Sequence, residues 1–79
     1  GATVISAIIT KNIITFNGTG QYGGVIRAQK GVITNNILIG VFIYGFWLTI
    51  ESAGWKVNNN VYAIAIQNVL DQGTGNSVT

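Results

Sequence analysis

An all-β solenoid is the fold class that this sequence predicts, from a motif repeated at a fixed interval, a wealth of β-branched residues, and turn residues spread along the whole chain. The motif occurs as Thr10-Lys11-Asn12-Ile13-Ile14, Thr34-Asn35-Asn36-Ile37-Leu38 and Asn58-Asn59-Asn60-Val61-Tyr62, each copy 24 residues after the one before. Ile9, Ile33 and Val57 fill one column, Asn12, Asn36 and Asn60 a second, and Ile13, Ile37 and Val61 a third. Between them Lys11, Asn35 and Asn59 vary. A column that accepts lysine faces water, whereas one that stays apolar or stays Asn faces a constant environment.

Composition sets the outer bounds. With 79 residues the chain makes one small domain, expected as a single solenoid segment over 1–79. It has no cysteine and no histidine, so neither a disulfide framework nor a usual zinc site is available, and no metal or cofactor is expected. Hydrophobic residues make up 48%, which argues against disorder, and a net charge of +2 is too thin for a phosphate track, so no nucleic-acid partner is expected. The chain begins at Gly1 without an initiator methionine, basic n-region or signal-cleavage pattern. The expectation is a processed product, a fragment of a longer solenoid, or a subunit that stacks on neighbours.

The uncharged stretch from Gly31 to Ile50 has about the length of a bilayer span, but Asn35 and Asn36 sit inside it. Only Ile37 to Ile50 is continuously apolar, shorter than the roughly 20 residues a spanning helix needs, so no membrane span is expected. No amphipathic stretch of helical period is present either. Ile13–Phe16 and Val32–Thr34 are short β-type runs between Asn or Gly clusters. Asn tolerates left-handed backbone, so Asn12, Asn36 and Asn60 are expected to turn the chain between strands. Stacked one over another, their amides would form a structural ladder, because an isolated buried amide costs about 1–3 kcal/mol.

The apolar-x-Asn-Asn-apolar signature, in Ile33-Thr34-Asn35-Asn36-Ile37 and Val57-Asn58-Asn59-Asn60-Val61, resembles the right-handed parallel β-helix of the pectin-lyase-like superfamily. Its members include pectate lyases, polygalacturonases, phage tailspikes and surface proteins. The resemblance implies a right-handed parallel β-helix of about three coils of about 24 residues, with three short strands per coil. Second strands would be Ala7–Thr10, Val32–Thr34, Lys56–Asn58 and Ser77–Thr79, and third strands would start at Ile13, Ile37 and Val61. First strands would be Val25–Ala28, Leu48–Ser52 and Ala63–Gln67, with Gly1 entering near another. This frame sets Ile26 under Ile50 and Arg27 under Glu51, and brings Ile66 and Gln67 to the same columns.

A polysaccharide groove along the first-strand sheet is also implied by the resemblance, and Arg27, Glu51 and Gln67 are its candidate polar lining. The bland alternative for Arg27 and Glu51 is a cross-strand ion pair worth about 0.2–1 kcal/mol. Aromatic residues gather at Tyr22, Phe42, Tyr44, Phe46, Trp47 and Trp55, expected mostly on connecting loops. Of these, Tyr44, Trp47 and Trp55 are the candidate sugar-stacking rings, against a role in partner packing or in covering their own coil. The Gly-rich segments 17–24 and 71–76 lack the following Lys-Ser or Lys-Thr and a helix, so they are loop punctuation and not phosphate sites.

Catalysis finds little support. Two carboxylates, Glu51 and Asp71, one arginine and no histidine do not assemble a glycosidase pair or a general base, and polygalacturonase-type Asn-Thr-Asp, Asp-Asp and Gly-His-Gly motifs are absent. An ice-binding threonine array is interrupted by Asn58 between Thr34 and Thr79. The expected function is a structural segment of an extracellular, cell-surface or virion-appendage protein serving adhesion, display or assembly. Its partners would be other coils, identical subunits or a polysaccharide. A fragment of a polysaccharide-degrading enzyme and a self-assembling filament subunit are the alternatives.

Overall fold

Runs of β-branched and aromatic residues, bounded by Asn, Gly and Ser, make the strands, since their stiff side chains favour extended backbone. The computed structural model describes residues 7–15 and 21–79. Their eight strands are β1 (Ala7–Thr10), β2 (Ile13–Thr15), β3 (Gln21–Ile26), β4 (Gln29–Thr34), β5 (Ile37–Leu48), β6 (Ala53–Asn58), β7 (Val61–Asp71) and β8 (Ser77–Val78).

The strands form two small sheets. One has the order β1-β4-β6-β8. The other centres on β5, whose one edge pairs with β2 over Ile37–Ile39 and with β3 over Phe42–Leu48, while β7 runs along the opposite edge. All the pairings between these strands are parallel, and in the first sheet they set Ile9 beside Ile33 beside Val57.

The expected right-handed β-helix of three coils with three short strands each is corrected by this architecture. The described residues form two sheets, not three. Residues assigned to separate third and first strands run together as β5 of 12 residues and β7 of 11. Continuous β-branched and aromatic sequence, with no proline and with Gly40 and Gly45 accommodated inside β5, gives no reason for the chain to break there. Leu48–Ser52 is not a strand either: β5 ends at Leu48, and the Ser52 N–H and Oγ both donate to the Thr49 carbonyl (2.9 and 2.7 Å), closing a turn. The radius of gyration is 12.0 Å, beside about 11.6 Å for a compact body of this length. The expected first strand near Gly1 lies outside the described residues.

Register shifts also move the expected columns. Ile26 pairs with Leu48 and not Ile50, beyond the irregularity at Gln21/Tyr22, and Gln67 pairs with Tyr44 and not Glu51, because β7 runs on from Val61 with its offset changed by one residue between Leu38 and Val41. Gln21–Gly24, expected as loop, belongs to β3. Within the repeated motif the left-handed residues are Lys11 (φ 59°), Asn35 (φ 59°) and Asn59 (φ 57°), one position before the expected Asn12, Asn36 and Asn60; Lys30 (φ 61°) is left-handed outside it. The turn therefore falls on the outward column, which leaves the following Asn free to point inward.

Ile33, Leu38, Phe42, Phe46, Leu48, Trp55 and Val57 form the buried core between the sheets, with Ile26 at its margin. Trp55 fits because its neighbour in the row is Gly31, where any Cβ would collide with the indole and with the Ala7 carbonyl oxygen. Its Nε1 donates to the Ala28 carbonyl at 2.8 Å, so the indole is satisfied inside the core.

Candidate functional site

Three features have the geometry of a site: the inward asparagines, an outward aromatic cluster, and the free edge of the second sheet. The asparagines follow directly from the repeat. Asn12 donates its backbone N–H and its Nδ2 to the Asn36 Oδ1, both at 3.0 Å. Asn36 does the same to the Asn60 Oδ1, at 3.0 and 2.9 Å. The remaining Nδ2 protons of Asn36 and Asn60 go to the carbonyls of Ile9 (3.0 Å) and Ile33 (3.1 Å). Asn36 is 0% exposed, and the side chains of Asn36 and Asn60 are bonded both to a neighbouring asparagine and to main chain, whereas that of Asn12, exposed at the end of the row, bonds Asn36 alone among the described residues. Beside Asn60, the Tyr62 phenol is raised above its ordinary 10.0 by burial, an effect opposed by a hydrogen bond from the Asn60 side chain.

Of the three polar residues expected to line a groove, Arg27 and Glu51 are brought together and Gln67 stands apart from them. Arg27 Nη1 and Glu51 Oε1 lie 3.4 Å apart with side chains 66% and 58% exposed, a surface ion pair worth about 0–1 kcal/mol. Gln67 stands in the row of Tyr44 and donates to the Val69 carbonyl of its own strand at 3.0 Å. The two carboxylates are engaged separately. Asp71 Oδ1 accepts from the Gly73 N–H (3.0 Å) and the Asn76 Nδ2 (2.8 Å), while Glu51 faces Arg27. Among the described residues no group of three or more His, Cys, Asp or Glu side chains is placed to hold a metal ion.

The aromatic residues lie on strands, not on loops, and separate by burial. Phe42 and Phe46 on β5 face the core. Trp55, expected as a sugar-stacking ring, is 1% exposed and belongs to the core, because the small Gly31 beside it admits the indole. Tyr44 and Trp47 instead face outward with Tyr22 of β3. The Tyr22 and Tyr44 rings stack at 5.6 Å and 10°, and Trp47 meets them edge-on at 5.4 and 6.3 Å. Its Nε1 donates to Gln72 Oε1 at 3.0 Å.

Sequence reasoning missed Asn76. Its Oδ1 accepts the Trp55 N–H at 2.8 Å and its Nδ2 donates to Ser52 Oγ at 3.1 Å, so it ties segment 71–76 to the start of β6. The separation of Asn76 from Ser52 is again 24 residues, and extending the repeat search beyond the Asn-Asn motif would have found it.

β7 is the third feature. It pairs with β5 on one side, and among the described residues no strand pairs with its other side. Its outward side chains include Val61 and Ile64, each 59% exposed, and Ile66 at 82%. Between β7 and β8 opens a cleft of about 440 Å³ lined by Tyr62, Ile66, Val69, Val78 and Thr79 among others. No family model matches the chain, and no curated protein or solved structure matches it. No helix among the described residues is long and apolar enough to cross a membrane.

Proposed function

We propose that the protein is a structural element that works by assembly through the edge of its second sheet. The observation that carries this is β7: an edge strand of 11 residues without proline, charged only at Asp71, with isoleucines on its face. Edge strands are ordinarily shortened, bulged, covered or guarded by lysine, because their unpaired N–H and C=O groups template further pairing. A length of this order, left unguarded, fits strand addition better than avoidance of it. Parallel pairing with β5 along its whole length supplies the support behind it.

Sedimentation velocity over a dilution series tests this function. The chain is expected to form β-rich species whose size grows with concentration, and Ile66→Lys, which places a cation on a residue already 82% exposed, is expected to hold it monomeric. A monomer at every concentration for both chains would overturn it.

A second function rests on the outward rings. Tyr22, Tyr44 and Trp47 form one contiguous aromatic surface, a chemistry suited to the apolar face of a sugar, and adhesion to polysaccharide would use it. Because Trp55 is buried, a ligand-dependent change in tryptophan emission would report on Trp47. Unchanged emission across a panel of polysaccharides would remove this function.

A further inference from the structure

The rows end differently on the two sides of the molecule, and the hydrogen-bonding groups left at each end are complementary. Asn12 and Asn36 each donate a backbone N–H to the Oδ1 of the next asparagine, whereas among the described residues nothing accepts from the Asn60 N–H. Conversely, Asn12 Oδ1 accepts from no described group. The main chain follows the same polarity: the Ile37 N–H donates to the Asn12 carbonyl at 2.9 Å and the Val61 N–H to the Asn36 carbonyl at 2.8 Å. The next bond in that series would run from an N–H like that of Ile13 to the Asn60 carbonyl.

The apolar columns also match. Ile9 and Ile14 are half-buried at one end, and Tyr62, Val69 and Val78 line the cleft at the other. One small element occupies the position that the next row would take: β8 pairs Ser77 and Val78 with Lys56 and Val57. The rows behind it pair more residues. β1 meets β4 over four positions, from Ala7↔Gly31 to Thr10↔Thr34, and β4 meets β6 in the same columns from Gly31↔Trp55 to Thr34↔Asn58.

We infer that the partner at this end is a second copy of the chain, docked head to tail, with its Ala7–Thr10 replacing β8 on β6 and its Ile13–Thr15 pairing with the free edge of β7. It rests on the assembly function proposed above and adds the orientation and the exchange. Asn12 of the second copy would then be the fourth rung, taking the Asn60 N–H on its Oδ1. Two pairs in β8 give way to four. Neither β1 nor β2 carries a charge, while the receiving strands β6 and β7 carry Lys56 and Asp71, so no like charges meet across these pairings. The contact is heterologous, hence it leaves a free end on each copy and propagates.

Cysteine cross-linking tests the orientation, and the chain has no cysteine of its own. Thr10 and Asn58 share a column with Thr34 between them, so within one molecule they are two rows, about 9.6 Å, apart and too far for a disulfide. In the head-to-tail pair, Thr10 of one copy lies one row, about 4.8 Å, from Asn58 of the other. Oxidation of the chain carrying both Thr10→Cys and Asn58→Cys is expected to give a ladder of dimers, trimers and higher species, with neither single variant cross-linking. Thr79→Pro, which removes the Thr79 N–H bond to the Val57 carbonyl that holds β8, is expected to lower the concentration for half-assembly about fivefold. Association in solution with cross-linking that stops at dimers, or with Asn58→Cys alone forming dimers, would overturn the head-to-tail inference and leave the assembly function standing. Absence of both association and cross-links would overturn the two together.

Discussion

At the scale of the residue, one asparagine carries more of the architecture than any other side chain. Asn36 is fully buried and takes part in six hydrogen bonds among the described residues, two with Asn12, two with Asn60, one with Ile9 and one with Val61. Asn36→Ala strands several of those groups where water does not reach, and each unsatisfied buried group costs about 1–3 kcal/mol. Its neighbour Asn35 is outward and left-handed, so Asn35→Ala loses only the tolerance for that conformation, about 1–2 kcal/mol. Urea denaturation should rank Asn36→Ala well below Asn35→Ala; equal losses would refute the role of the rung. Lys11 sits in the same left-handed position at φ 59°, and Lys11→Asn is expected to raise stability by about 0.5–1 kcal/mol in the same assay.

Tyr62 supplies a pH dependence. Its pKa is raised in the folded chain, so the folded state holds the phenolic proton more tightly than the unfolded chain does. The corresponding stability is fully present below the unfolded value of about 10 and is lost as pH rises through the folded one. Thermal melts from pH 9 upward should fall more steeply for the natural chain than for Tyr62→Phe. Identical slopes would mean that the phenol is not held at the end of the core.

Among the elements, β4 and β6 depend on a size match across one row. Gly31→Ala would push a methyl into the Trp55 ring and the Ala7 carbonyl oxygen, and since one of these is backbone the row must shift. A loss of about 1–3 kcal/mol is expected, the usual cost of overpacking. Partial rescue by Trp55→Phe in the same chain would show that the indole is the obstacle, and its failure would place the strain elsewhere. This match was invisible in the sequence. The repeat aligned Gly31 with Trp55, yet alignment alone does not show whether an aromatic side chain turns in or out, and so Trp55 was expected on the surface.

Elements also show where reading from sequence works. β1, β4 and β6 were legible because their columns keep one 24-residue spacing, and Ile9, Ile33 and Val57 do stand side by side. The second sheet was less so: the irregularity between Leu38 and Val41 changes the offset inside β5 by one residue, and Gly40 at φ 131° is the residue that marks it. The continuous course of β7 from Val61 sets Gln67 beside Tyr44 and so away from Arg27 and Glu51. β5 likewise joins two expected strands into one, which a run such as Val41-Phe42-Ile43-Tyr44 permits but does not dictate.

At the scale of the whole molecule, the described residues extend 37 × 21 × 21 Å, with a bonded asparagine row along the inside and unpaired backbone along β7. The inside accounts for order; the edge is the surface that the proposed assembly uses. Hydrogen exchange of backbone amides, followed as protein concentration rises, examines that edge most directly. Amides of β7 are expected to gain protection with concentration, while those of β5, paired on both edges already, do not change. Assembly that leaves β7 exchanging at its dilute rate, or β7 amides indifferent to concentration throughout, would contradict that use of the edge.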